Sequence, residues 1–220
     1  KLRLFSRRQH EPYRFALNPQ LLSALQWWGT NLSLAPERSV FSMVRPRDLV
    51  ITYSDGEGAD AGVAIAAWSN TRVGDVPLAG FMEIPTEIRL LWASQRARAE
   101  AAHATGEVDF HDIMEIEGIA PLLILHNWPW LVKDSLWIHF IDNNSALGAL
   151  VKGSSSVCQK DIIVGHTWAQ IAQLGVYPWF DRVDTHSNPV DGLSRKNFSG
   201  DWTWTSIEFP ENVINDLRVA

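Results

Sequence analysis

The 220 residues carry a formal net charge of −6, with 46% hydrophobic and 20% charged residues, the balance of a core-forming globular chain and not of a disordered one. An acidic chain is a poor general binder of phosphate backbones, so any nucleic-acid role must lean on a local basic patch or on bound cations. The single cysteine, Cys158, excludes an internal disulfide and a Cys-x-x-Cys zinc site and favours an intracellular, reducing compartment.

Residues 1 to 46 form a preamble. Its start, Lys1-Leu2-Arg3-Leu4-Phe5-Ser6-Arg7-Arg8, lacks the apolar region of a signal peptide. Leu21 to Trp28 has helical spacing after Asn18-Pro19, and Pro36 and Pro46 punctuate a linker. Three strands follow at 49–54, 61–69 and 77–84, separated by turn residues, and their short connections predict an antiparallel meander.

Residues 85–111 read as a helical insertion, and Asp112 to Asn127 as an apolar helix despite Pro121. A fourth strand spans 136–141, helices 144–151 and 160–174, a short strand Trp179 to Val183, and a helical turn follows Asn188-Pro189. The longest apolar run, Ile119 to Leu125, is far below the ~20 residues a membrane helix needs. No membrane span is expected. Residues 199–220 read as a tail, with Trp202 and Trp204 of the eleven tryptophans packing back onto the domain.

The order β-β-β-α-β-α-α-β-α predicts an α/β architecture. Catalytic groups in such sheets gather at strand ends near topological switch points. Asp55 and Asp142 each follow an apolar strand. If those strands are parallel neighbours, the two carboxylates meet and repel, and divalent cations resolve the conflict. Two Mg²⁺ ions ~3.5–4 Å apart would clamp the attacking and leaving oxygens of a phosphodiester.

Glu117 sits amid apolar neighbours, an expensive place for an unpaired charge. Asp191 lies near a helix start. Each acid also has a plainer reading: Asp55 as a turn residue, Asp142 as a helix cap, Glu117 and Asp191 as first-turn acids. The segment 148–154 lacks the lysine of a phosphate loop, and neither a Gly-x-Ser-x-Gly elbow nor a His-Glu-x-x-His zinc helix occurs. Asn-x-Ser triplets at 31–33, 143–145 and 197–199 are too short to carry weight.

In order, "TYSDGEGADAGVAIAAW", "EIEGIAPLLIL", "FIDNNSALGALVKGSSS" and "HSNPVDGLSR" resemble the four acidic motifs of the ribonuclease H domain of retroelement reverse transcriptases. The likeness is closest to DIRS-type and Gypsy-type elements and covers about residues 48–196. It implies a ribonuclease H-like mixed five-stranded sheet flanked by helices, as a domain at 47–198. It also implies a metal-binding tetrad of Asp55, Glu117, Asp142 and Asp191, with two Mg²⁺ ions or Mn²⁺ as substitute. Glu117 is preferred to Glu115 because Ala120 completes the family's Glu-x-x-Ala pattern.

The implied activity is cleavage of the RNA strand of RNA–DNA hybrids, beside the polymerase portion of the same polyprotein. One ion would activate a water and the other would stabilise the leaving 3′ oxygen. His186 would aid proton transfer or product release. Asn143, Asn144, Lys152, Ser154, Asn188 and Arg195 would contact substrate, with Lys160 a further candidate for the backbone. The chain departs from the family in the long 85–111 link, in Pro121, and in Gly56-Glu57, where Ala-Ser is common. The competing expectation is a domesticated domain that keeps the fold as a structural or interaction subunit without catalysis.

Overall fold

The computed structural model describes residues 19–31, 47–58, 62–102 and 113–219. The linker prolines, Asp112 and the first eighteen residues lie outside them. The chain divides into two units, Lys1–Glu37 and Arg38–Ala220. In the first, helix α1 (Pro19–Asn31) forms where the sequence predicts one, with Leu22, Leu25 and Trp27 exposed.

In the second unit, β1 (Leu49–Glu57), β2 (Gly62–Trp68) and β3 (Leu78–Glu83) make the predicted antiparallel meander. Helix α2 (Thr86–Ala102) occupies the first part of the insertion, whose residues 103–111 lie outside the described ones, and α3 (Ile113–Asn127) and the short α4 (Pro129–Val132) come next. Strand β4 (Leu136–Ile141) returns parallel to β1, pairing Val50 with Trp137 and Thr52 with His139. After α5 (Asn144–Lys152) and α6 (Cys158–Gln173), β5 (Tyr177–Arg182) adds parallel to β4. A four-residue helix, α7 (Asp191–Ser194), precedes β6 (Thr203–Thr205) and α8 (Glu211–Val219).

The mixed sheet runs β5-β4-β1-β2-β3-β6, six strands and not the predicted five. The sixth, β6, pairs parallel with β3 at the far edge. The stretch read as a tail therefore belongs to the fold, and Ile207, Val213 and Leu217 are buried in the main core. Trp202 does pack back, edge to face on Trp68, and Trp204 meets Phe198.

Strand alternation divides the interior into two layers. From β2, Val63, Ile65 and Ala67 enter the large core beneath the helices, while Ala64 and Ala66 face a smaller one with Ala79, Val190 and Leu193. Helix α3 is apolar nearly all round, as a helix buried within a core must be: Ile116, Ile119, Leu122, Leu123 and Ile124 are fully buried. Pro121 is accommodated inside it, although the proline cannot supply an N–H to the Glu117 carbonyl one turn earlier. Among the described residues no helix is long and apolar enough to cross a membrane.

Candidate metal centre

The parallel β1–β4 ladder ends at the pair Tyr53–Phe140. Asp55, within β1, and Asp142, just after β4, each lie two residues beyond it. Asp55 is not the strand end that the sequence suggested. Its strand runs on to Glu57 because the antiparallel ladder continues, pairing Asp55 with Ala64.

Asp142 follows the last residue of β4, and it is not the cap of α5. Asn143 is: its Oδ1 accepts from the N–H groups of Ser145 and Ala146 at 2.9 and 3.0 Å. Released from capping, Asp142 accepts a hydrogen bond from Thr185 Oγ1 through Oδ2 at 3.0 Å. Its other oxygen, Oδ1, is buried without a partner.

Glu117 reaches the same place from α3. It is 5% exposed, and Asn143 Nδ2 stands 3.5 Å from its Oε1. No donor group of the protein reaches the buried Oε2, and the Asp142 carboxyl is the neighbour that hydrogen-bonds this side chain. Burial, reinforced by the Asp142 carboxyl and the charge of Asp55, pushes the Glu117 pKa up to about 9. Glu115, the alternative on the same helix, pairs with Lys160 of α6 at 3.6 Å. That pair also commits Lys160, a candidate for backbone contact.

Asp55 is 4% exposed, and Ser194 Oγ donates to its Oδ2. Burial raises its pKa to about 6. The Ser194 hydrogen bond opposes that rise, and the charges of Asp142 and Asp191 add to it. Asp191 opens α7, with Oδ1 held by Arg195 at 2.9 Å. Repulsion thus links Asp55 to Asp142 and Asp191, and Glu117 to Asp142 and Asp55. The structure gathers all four predicted acids at one end of the sheet.

Two close approaches make this possible. A Cβ at Gly56 would stand 2.8 Å from Ile116 Cγ2 and 2.9 Å from Glu117 Cγ, so glycine lets β1 reach α3 at the acid itself. A Cβ at Gly62 would stand 2.6 Å from the Ser194 carbonyl oxygen, so glycine also admits α7 against β2.

The remaining predicted residues divide. Asn188 was expected to touch substrate, but it is 6% exposed and its Nδ2 donates to the Ser54 carbonyl at 2.9 Å. Its Oδ1 accepts from Val190 N at 3.3 Å, so it clamps the loop before Asp191 onto β1. Arg195 is occupied by Asp191, and Asn143 is both cap and neighbour of Glu117. Asn144, Lys152 and Ser154 are exposed, as is His186 in the 3-10 turn Thr185–Ser187.

Sequence reasoning passed over Thr185 and gave Ser194, a member of the last motif, no role; their hydroxyls hold two of the carboxylates. It also missed His139, fully buried between Thr52 and Ser54. The available signal was a set of polar residues at positions that alternation sends into the core.

A hard cation suits this donor set: four carboxylates, two of them offering buried oxygens without partners. Among the described residues, however, no group of three or more such side chains is assembled to hold one ion. Ser194, Thr185 and Arg195 hold oxygens of Asp55, Asp142 and Asp191, respectively. Neither protein-family models nor curated proteins match the chain.

Proposed function

We propose that this domain is a metal-dependent nuclease of the ribonuclease H type, cleaving the RNA strand of RNA–DNA hybrids. One observation carries the reading: Glu117 and Asp142 meet carboxyl to carboxyl in a buried acidic cluster, where no donor group of the protein reaches Glu117 Oε2 or Asp142 Oδ1. Two buried carboxyls in contact cannot both ionise without repulsion, and a cation that takes both as ligands would replace the proton that Glu117 otherwise keeps. Asp55 and Asp142 would hold the ions, Mg²⁺ or Mn²⁺, with Glu117 and Asp191 completing the set. When bound, such ions activate water and stabilise a leaving oxygen.

The chain's own groups orient and supply these ligands. Asn143 steers Glu117, Thr185 steers Asp142, and Ser194 steers Asp55. His186, beside Thr185 and exposed, is available to exchange a proton with the departing product. Asn144, Lys152 and Ser154 offer polar contacts to the nucleic-acid backbone. Recognition then rests on hybrid shape and 2′-hydroxyl groups, and the ions offset the unfavourable net charge.

A second reading, a domain that keeps this fold for a structural role, is favoured by the Asp191–Arg195 pair and by the absence, among the described residues, of an assembled three-ligand group. Incubation of the folded chain with an RNA–DNA hybrid and Mg²⁺ or Mn²⁺ decides between them. Cleavage that Asp142→Asn abolishes supports the nuclease. An intact hybrid, with folded wild-type protein and metal supplied, supports the structural subunit.

A further inference from the structure

Thr52, Ser54 and His139 occupy positions that strand alternation turns into the large core, and all three are 0% exposed. His139 Nδ1 meets Thr52 Oγ1 at 2.8 Å, and its Nε2 meets Ser54 Oγ at 3.2 Å. Trp137 Nε1 donates to the same Thr52 Oγ1 at 2.7 Å. Phe180 closes the ring's surroundings, its centroid 6.1 Å away. Apolar side chains of the same shape would fill this space at similar or lower free energy. Stability alone therefore does not account for a buried polar set.

Its placement does. Backbone hydrogen bonding between β1 and β4 stops at Tyr53–Phe140, before Asp55 and Asp142. At Asp55 the β1 backbone is paired to β2 instead, on the side away from β4. The Ser54–His139 bond reaches diagonally past the last rung of the ladder, to the residue preceding Asp55. The Ser54 carbonyl is held in turn by Asn188, which anchors the loop leading to Asp191.

We infer that His139 is a positioning residue of the metal centre: through Ser54 it sets the spacing of Asp55 and Asp142 and anchors the loop that carries Asp191. This rests on the nuclease reading of the four acids. His139 is no ligand in this scheme. It touches none of the four acids and acts one step behind the direct partners of metal ligands, whose substitution commonly costs ~10–100-fold in metal affinity, so the lower end of that range applies.

The test uses the full chain and its variants His139→Phe, His139→Gln and Ser54→Ala. Two quantities are read from thermal melts: the metal-free melting temperature, and the Mn²⁺ concentration giving half-maximal stabilisation. His139→Phe and Ser54→Ala are expected to need ~10-fold more Mn²⁺. His139→Gln, whose amide offers both a donor and an acceptor, is expected to recover most of that loss. If the variants lower the metal-free melting temperature while the Mn²⁺ midpoint stays at the wild-type value, His139 is only a core residue and the inference is overturned. If wild-type protein shows no Mn²⁺ stabilisation, the metal reading itself fails and takes this inference with it. Should His139→Phe not fold, Ser54→Ala, which removes one hydroxyl, decides alone.

Discussion

Glu117 and Asp142 meet carboxyl to carboxyl, and the proton that Glu117 keeps is what joins them, since no donor group of the protein reaches Glu117 Oε2 or Asp142 Oδ1. The contact joins the buried helix α3 to the end of β4, and without metal it is repulsive once both groups ionise. Asp142→Asn replaces one charge with an amide able to donate to Glu117. Near pH 9, where Glu117 loses its proton, the metal-free variant is expected to be more stable than wild type by about 1 kcal/mol. Mg²⁺ or Mn²⁺, which should raise the wild-type melting temperature by binding the folded state, should lose most of that effect in the variant. Melts in chelator and in metal check both; an equal metal response in the two proteins would count against a metal centre.

The same contact predicts a pH dependence. Glu117 titrates near 9 in the folded protein, against a reference value of 4.5, so the folded state holds its proton more tightly. Its stabilising contribution is complete below about pH 4.5 and is lost as pH rises toward 9. Metal-free protein should therefore weaken over this range, and Glu117→Gln should flatten the decline. Urea midpoints from pH 5 to 9 are the measurement.

His139 shapes the acid side. Burial lowers its pKa to about 3 from 6.5, so its contribution is present above pH 6.5 and is lost as pH falls toward 3. His139→Gln should make the acid limb between those values shallower in the metal-free protein.

Gly62→Ala should cost more than Gly56→Ala. The new methyl at 62 meets backbone, the Ser194 carbonyl, while that at 56 meets the side chains of Ile116 and Glu117. Overpacking costs about 1–3 kcal/mol, with Gly62→Ala expected at the upper end because α7 must shift. Chemical denaturation gives the order.

Asn188→Ala separates a clamp from a substrate contact. Removing a buried amide that bonds Ser54 O and Val190 N should destabilise the metal-free protein by about 1–3 kcal/mol. A surface contact would leave stability unchanged.

The meander and the parallel return of β4 were legible because each strand is an apolar run bounded by turn residues. Asp55, Glu117 and Asp142 stood out because each ends or interrupts an apolar run, whereas Asp191 stood out only through the motif around it. Capping was misread at Asp142-Asn143-Asn144, where neighbouring side chains can all cap and only backbone geometry selects Asn143. Strand β6 escaped notice because three residues carry no periodicity. Thr185, Ser194 and Asn188 were hidden for another reason: their partners lie 43, 139 and 134 residues away, and no local pattern encodes such pairings.

Strand β6 and helix α8 have a consequence for synthesis. The edge of β3 and the floor beneath Ile207, Val213 and Leu217 remain open until residues 203–219 have left the ribosome. All four acids emerge earlier, so the charged cluster is translated before the core that must hold it can close. Through that interval the nascent chain presents an unpaired strand edge and apolar surface. A recombinant version ending near residue 198 would keep this exposed state permanently.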